Sequence, residues 1–125
     1  MRDFEIIAVD FDGTLCEDIY PYIGAPNEAL IDEIKARQAY GDRIILWTCR
    51  SGKLLEDAVR WCEAEHDLIF DAVNENLPGL IAAYGNDSRK VFADTYIDDR
   101  SCCTKFNLPF KVERTEDGTM EKVNP

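Results

Sequence analysis

The chain has 125 residues, of which 25 are acidic and 14 are basic, so its formal net charge is −11. This length suits one domain. The composition, with 46% apolar and 31% charged residues, favours a globular fold over disorder. The excess of acids argues against passive binding along a nucleic-acid backbone, which needs Lys and Arg to neutralise phosphates. No apolar run approaches the ~20 residues that cross a bilayer. We therefore expect a cytoplasmic protein without a membrane partner.

Apolar runs and helical periodicity alternate along the chain. Short apolar runs predict buried strands over 4–9, 44–47, 68–73 and 91–97. Between them, apolar periodicity predicts three helices, with N-caps at Asn27 and Ser51 for the first two and Gly41 and Gly85 ending the first and third. An Asp-Gly pair within 110–123 predicts a terminal hairpin. This alternation indicates an α/β fold: a mostly parallel sheet with helices on both faces.

Three clusters of polar residues stand at the carboxyl ends of the first, second and fourth predicted strands. They are Asp10 and Asp12, then Thr48, Cys49 and Arg50, then Asp98 and Asp99. Ligands of parallel sheets bind beyond the carboxyl ends of the strands, so we expect these clusters to meet at one edge.

The four acids at this edge favour a bound cation. Carboxylates at close quarters raise one another's proton affinity unless a cation holds them, and an all-oxygen set of ligands points to Mg²⁺. With Thr48 as a hydroxyl donor and Lys90 as a positive charge, the set predicts a phosphoryl-transfer centre.

Thiol and zinc chemistry are disfavoured by the cysteine pattern. Five cysteines occur with no Cys-x-x-Cys pair and with a single histidine, His66. We interpret them as reduced thiols. They are Cys16, Cys49, Cys62, Cys102 and Cys103.

The ordered motifs resemble those of the haloacid dehalogenase (HAD) superfamily. Asp10-Phe-Asp-Gly-Thr-Leu after an apolar strand resembles its first motif, and Thr48 after Ile-Ile-Leu-Trp resembles its second. Lys90 resembles the third motif, and Tyr-Ile-Asp98-Asp99-Arg the fourth, so the four cover residues 4–100.

The resemblance implies a role for each of these residues. Asp10 would be the nucleophile that forms an aspartyl-phosphate, and Asp12 the general acid and base. Thr48 would bind the phosphoryl oxygens, and Lys90 would neutralise the nucleophile and the phosphate. Magnesium would be held by Asp10, by the main-chain carbonyl of Asp12 and by Asp99. Asp98 would orient a water on the metal, although the sequence does not rank Asp98 against Asp99. An acid at position 12 favours phosphate chemistry over carbon–halogen cleavage.

The spacing of the motifs leaves no room for a cap domain. The 35 residues from 13 to 47 and the 41 from 49 to 89 are already used by core elements. The resemblance thus implies a Rossmann-like three-layer sandwich without a cap, similar to small HAD-like proteins of bacteria and their phages. We expect one domain over 1–125, with a motif core over 4–100, a C-terminal extension over 101–125 and a short flap over 16–24.

The predicted function is magnesium-dependent hydrolysis of a phosphomonoester. A capless site would admit a phosphorylated small molecule or an accessible phosphate on a macromolecule, and the sequence sets neither the substrate nor the oligomeric state. One alternative is a phospho-aspartate switch resembling a response-regulator receiver. Its motif order differs, because receivers place the adjacent acids first whereas here they come last. A binding protein on the same scaffold is the other alternative.

Overall fold

A computed structural model describes residues 2–101 together with the backbone of 111–114 and 120–123. The fold is of the α/β class, compatible with a Rossmann-like sandwich. Its strands are β1 (Ile6–Val9), β2 (Cys16–Ile19), β3 (Tyr22–Pro26), β4 (Arg43–Leu46), β5 (Ala72–Val73), β6 (Thr95–Ile97), β7 (Lys111–Arg114) and β8 (Met120–Val123). Its helices are α1 (Glu28–Ala39), α2 (Gly52–His66) and α3 (Pro78–Tyr84).

The main sheet has four parallel strands in the order β5-β4-β1-β6. Val9 pairs with Leu46 on one side and with Ile97 on the other. The three strands therefore end at one level, and the residues that follow them emerge at one edge of the sheet. This confirms the predicted mostly parallel sheet.

Helices cover both faces of this sheet. In β1, Ile7 and Val9 pack into a core with Ile31 of α1 and Cys62 of α2. Ile6 and Ala8 alternate with them and pack on the other face against the segments around α3 and 91–93. Apolar side chains on both faces explain why the strand is a continuous apolar run.

The helix ends follow the predicted caps. Asn27 precedes α1, and its side-chain oxygen accepts a hydrogen bond from the N–H of Leu30. Ser51 occupies the N-cap of α2, but its side chain makes no capping hydrogen bond. Gly85 ends α3 in the left-handed conformation, which glycine adopts at little cost.

Two strands are shorter than predicted because other groups take their backbone hydrogen bonds. After α2, Asp67 is left-handed and Leu68 donates to the carbonyl of Cys62, so the chain becomes a paired strand only at Ala72. Before β6, the Tyr96 hydroxyl bonds the backbone of residues 91 and 93.

Two antiparallel hairpins form separate two-stranded sheets. β2 and β3 rise directly after β1 and include the predicted flap. β7 and β8 confirm the terminal hairpin, and its predicted Asp-Gly turn lies outside the described residues. Within residues 2–101, none of the helices has the length and apolar character needed to cross a membrane.

Candidate active site

A cavity of about 360 Å³ lies at the carboxyl ends of the strands. It brings together five of the six predicted site residues, all except Lys90. Its lining is formed by Asp10, Asp12, Asp18, Tyr20, Thr48, Cys49, Arg50, Asp98, Asp99 and Arg100.

Asp10 is fixed at the end of β1 by two groups, and one of them also binds the loop after β6. Its N–H donates to the carbonyl of Ile97 at 2.9 Å, which continues the pairing of β1 with β6. Its carboxylate accepts a hydrogen bond from the Thr14 hydroxyl at 3.2 Å. The same hydroxyl accepts one from the N–H of Asp99 at 3.0 Å. Buried Thr14 thus links the loop after β1 to the loop after β6.

Asp10 faces two further carboxylates. Single oxygens of Asp10, Asp98 and Asp99 all lie within 4.8 Å of one another. Burial, together with the negative charge of Asp98, raises the pKa of Asp10 from 3.8 to about 6. The hydrogen bonds from the Phe11 backbone and the Thr14 hydroxyl act in the opposite direction and do not cancel the rise.

Gly13 allows this close approach of the two loops. Its φ is +83°, and a Cβ atom at this position would collide with the carboxylate of Asp99. Glycine is therefore required here both by the turn and by the space that Asp99 occupies.

Asp12 forms an ion pair with Arg50 across the cavity wall. Nε and Nη2 of Arg50 donate to the two oxygens of Asp12 at 2.8 and 2.7 Å. Other guanidinium protons bond the carbonyls of Pro21 and Tyr22, which tie the β2–β3 hairpin to the sheet. Arg50 is 2% exposed, and the bond to Asp12 raises its pKa. In this conformation both oxygens of the predicted acid and base are held by the arginine.

Thr48 is positioned by Asn74 from the neighbouring strand. The Asn74 side chain accepts the N–H of Thr48 at 2.8 Å and donates to the carbonyl of Arg50 at 3.3 Å. The Thr48 hydroxyl accepts the N–H of Arg50 at 3.1 Å. The loop after β4 is thereby held with Thr48 on the cavity.

The structure does not bring Lys90 to the cavity. The residues between Lys90 and β6 run near the start of β1, where Asp94 donates its N–H to the carbonyl of Ile6. The ammonium of Lys90 lies 5.2 Å from the centre of the Tyr96 ring. Within residues 2–101, the cations on the cavity are Arg50 and Arg100 instead.

The cysteines agree with free thiols where they are described. Cys16, Cys49 and Cys62 form no disulfide. Burial raises the pKa of Cys62 to about 12, so this thiol stays protonated at neutral pH. Cys49 is exposed on the cavity.

Sequence reasoning underrated two residues of the site. The sequence indicates Arg50 only as a polar residue after the second predicted strand, without a partner, and it does not single out Asn74. The signal for Arg50 was its position three residues beyond a predicted buried strand, where an arginine is buried only if it is paired with an acid. Asn74 had a weaker signal: a polar residue directly after a predicted strand.

A solved structure is similar to this chain. It is the structure of the conserved protein coded by a locus from Bacteroides thetaiotaomicron. The two share 41% sequence identity over 79% of this chain and 78% of that chain, with a TM-score of 0.70. The chain belongs to the same family as that protein. The name of the relative states no activity. No protein-family model matches the chain, and no curated protein matches it.

Proposed function

We propose that the chain is a magnesium-dependent phosphomonoesterase of the HAD type without a cap domain. The observation that carries this proposal is the convergence of Asp10, Asp98 and Asp99, whose oxygens lie within 4.8 Å of one another. They stand at the ends of two neighbouring parallel strands, beside Thr48 at the end of a third. The order of these residues along the chain supports the same proposal.

The residues present fit a divalent cation. Three carboxylates that face one another supply the hard oxygen ligands that Mg²⁺ prefers. Burial and the negative charge of Asp98 raise the pKa of Asp10, and a cation bound among the three carboxylates would oppose both effects. Asp10, the main-chain carbonyl of Asp12, and Asp98 or Asp99 would hold the ion. When bound, Mg²⁺ supplies positive charge that stabilises the anionic phosphoryl oxygens.

In this proposal Asp10 is the nucleophile. An oxygen of Asp10 attacks phosphorus, and the bond from phosphorus to the leaving oxygen of the substrate breaks. The leaving oxygen takes a proton from Asp12. Water then attacks the phosphorus of the aspartyl-phosphate and passes its proton to Asp12. This releases inorganic phosphate and restores Asp10. The Thr48 side chain binds a phosphoryl oxygen during both steps.

Arg50 sets a condition on the role of Asp12. Because both Asp12 oxygens accept hydrogen bonds from Arg50, Asp12 must turn away from the guanidinium to reach a substrate oxygen. We propose that Asp12 exchanges between Arg50 and the substrate during turnover. Arg50, not Lys90, is then the cation that acts on this side of the site.

The proposal is tested by metal-dependent hydrolysis of p-nitrophenyl phosphate. We expect activity with Mg²⁺ that EDTA abolishes. Asp98→Asn and Asp99→Asn should each lower the rate at sub-saturating Mg²⁺ by roughly 10-fold or more, since both carboxylates surround the ion. Asp32→Asn is the matched control, because Asp32 is an exposed acid on α1, and it should match the wild type. Unchanged activity in EDTA, or no activity on any phosphomonoester, would overturn the proposal.

A further inference from the structure

An aromatic ring stands at the mouth of the cavity on a buried cation. The Arg50 guanidinium lies 5.0 Å from the centre of the Phe11 ring and 5.2 Å from that of the Tyr20 ring. Phe11 is fully buried and Arg50 is 2% exposed, whereas Tyr20 is 57% exposed. The three groups form a stack that runs from the core to the cavity, and its outermost ring still presents surface to solvent.

This outer ring is held in place before any ligand arrives. Arg50 is fixed by Asp12 and also bonds the carbonyls of Pro21 and Tyr22, which flank the turn that carries Tyr20. The N–H of Tyr20 donates to the Asp18 carboxylate at 3.3 Å. These hydrogen bonds anchor the backbone of the turn, and the guanidinium covers one face of the ring, so stacking on the other face costs less conformational entropy than ordering a free side chain.

The charges around the ring limit the charge that the substrate can carry outside its phosphoryl group. Among the described lining residues, five are aspartates and two are arginines. Arg50 is paired with Asp12, and Arg100 lies 3.9 Å from Asp18. Because aspartates outnumber arginines five to two among these residues, the described part of the rim disfavours a second anionic group. Tyr20 is the one aromatic residue among the described lining residues.

We infer that the substrate is a phosphomonoester whose alcohol is uncharged and carries a flat ring that stacks on Tyr20, as in a nucleoside monophosphate. This inference rests on the proposed function, because it places the phosphoryl group at Asp10. Base–aromatic stacking in comparable sites corresponds to about 10- to 100-fold in affinity.

The inference is tested with two substrates that differ by the flat ring. We expect kcat/KM for adenosine 5′-monophosphate to exceed that for ribose 5-phosphate by about 10-fold or more in the wild type. Tyr20→Leu should bring the ratio close to one, mainly by raising KM, and Tyr20→Phe should restore it. Tyr22→Leu is the matched control. The Tyr22 side chain is 74% exposed and does not line the cavity, and the variant keeps the carbonyl that binds Arg50, so the wild-type ratio should persist.

A third substrate tests the demand for an uncharged alcohol. Adenosine 3′,5′-bisphosphate carries the same base and a second phosphate. Because aspartates outnumber arginines among the described rim residues, its kcat/KM at the 5′ position should be about 10-fold lower than that of adenosine 5′-monophosphate. Equal values would overturn this part of the inference.

Calorimetric binding to Asp10→Asn protein separates the two proposals, since this measurement needs no turnover. Hydrolysis of both substrates with a ratio near one in the wild type would overturn the ring subsite and leave the phosphatase. A second outcome is that Asp10→Asn protein binds adenosine 5′-monophosphate more tightly than ribose 5-phosphate, that Tyr20→Leu/Asp10→Asn protein does not, and that the wild type hydrolyses neither. This outcome would overturn the phosphatase and support the subsite. Neither hydrolysis nor a difference in binding would overturn both.

Discussion

Acidic residues gather at both ends of the main sheet, but their partners differ. At the amino end, Asp42 accepts the N–H of Glu5 and a proton of Arg37, at 2.9 and 2.7 Å. Asp94 at the same end accepts the N–H of Ile6 and pairs with Arg2. At the carboxyl end, Asp10, Asp98 and Asp99 face one another.

The two groups of carboxylates also differ in the direction of their pKa shifts. Hydrogen bonds from the Glu5 backbone and Arg37 lower the pKa of Asp42, and those from Arg2 and Ile6 lower the pKa of Asp94. Burial and a like charge raise that of Asp10. The amino-end carboxylates thus stabilise the fold in the ionised form, whereas ionisation of Asp10 destabilises it.

The larger cavity does not lie at the candidate active site. The cavity at the amino end is the larger, at about 660 Å³, and both Arg37 and Asp42 line it. Those two side chains are already paired with each other. The unmatched carboxylates, rather than the volume, single out the carboxyl end as the candidate active site.

The largest expected effect is on activity at the carboxyl end. Asp10→Asn removes the anionic nucleophile with little change in shape, so kcat should fall by at least about 10³-fold. Because the variant also removes a charge that faces two other acids, its metal-free melting temperature should equal or exceed that of the wild type. Steady-state kinetics and thermal melts in EDTA check both results. Near-normal turnover by folded Asp10→Asn protein would contradict the nucleophile assignment.

A large effect on stability is expected at the Asp12–Arg50 pair. Asp12 differs from Asp10, Asp98 and Asp99 at the same end of the sheet because an arginine binds both of its carboxylate oxygens. Arg50→Met leaves Asp12 without its partner and releases two hairpin carbonyls, so the free energy of unfolding should fall by about 3 kcal/mol. Urea denaturation measures it. Arg60→Met, at an exposed position on α2, is the control and should change stability by no more than about 0.5 kcal/mol. Equal stabilities of the two variants would mean that the pair does not anchor the hairpin.

A smaller effect is expected at the amino end. Asp42→Ala leaves the N–H of Glu5 without its acceptor and Arg37 without its partner, which should lower the free energy of unfolding by about 1 to 2 kcal/mol. Phosphatase activity of the folded variant should match the wild type. A loss of turnover in Asp42→Ala that exceeds its loss of folded protein would show that the two ends are not separate.

The smallest expected effect is a difference in pH dependence. Asp10, with its pKa raised to about 6, stabilises the metal-free fold below its unfolded pKa, and this contribution is lost as the pH rises through about 6. Asp42 and Asp94 act oppositely: their contribution is present above roughly pH 4 and is lost as the pH falls through their lowered pKa values. Unfolding free energies in EDTA between about pH 4 and 7 should therefore fall less steeply in Asp10→Asn than in the wild type. Parallel curves would contradict the raised pKa.

The sequence predicted five residues that line the cavity, but neither the position of Lys90 nor how each side chain is held. Asp10, Thr48 and Asp98 follow apolar runs, and parallel pairing alone brings such positions to one edge. The partner of Asp12 was not predictable, because Arg50 is 38 residues away in the chain and its burial depends on the fold of the hairpin. Lys90 was assigned from motif order, which carries no information on the direction in which the chain enters β6.

Strand length was also beyond the sequence. Residues 68–73 and 91–97 have strand-like composition, yet the helix cap at Leu68 and the Tyr96 hydroxyl take backbone groups that a sheet would use. A local apolar pattern indicates that a segment is buried, and both segments are partly buried in the two cores. It does not record which group satisfies each backbone N–H.

The most direct measurement is to trap the phosphoryl group on the protein. Wild-type and Asp12→Asn protein would be mixed with p-nitrophenyl phosphate and Mg²⁺, quenched in acid within milliseconds to seconds, and mapped by peptide mass spectrometry. We predict a hydroxylamine-sensitive acyl phosphate on Asp10 that accumulates further in Asp12→Asn, because breakdown of the intermediate needs the base, and that is absent in Asp10→Asn and in EDTA. Phosphate release at full rate with no label on Asp10, or with the label on another residue, would contradict the account.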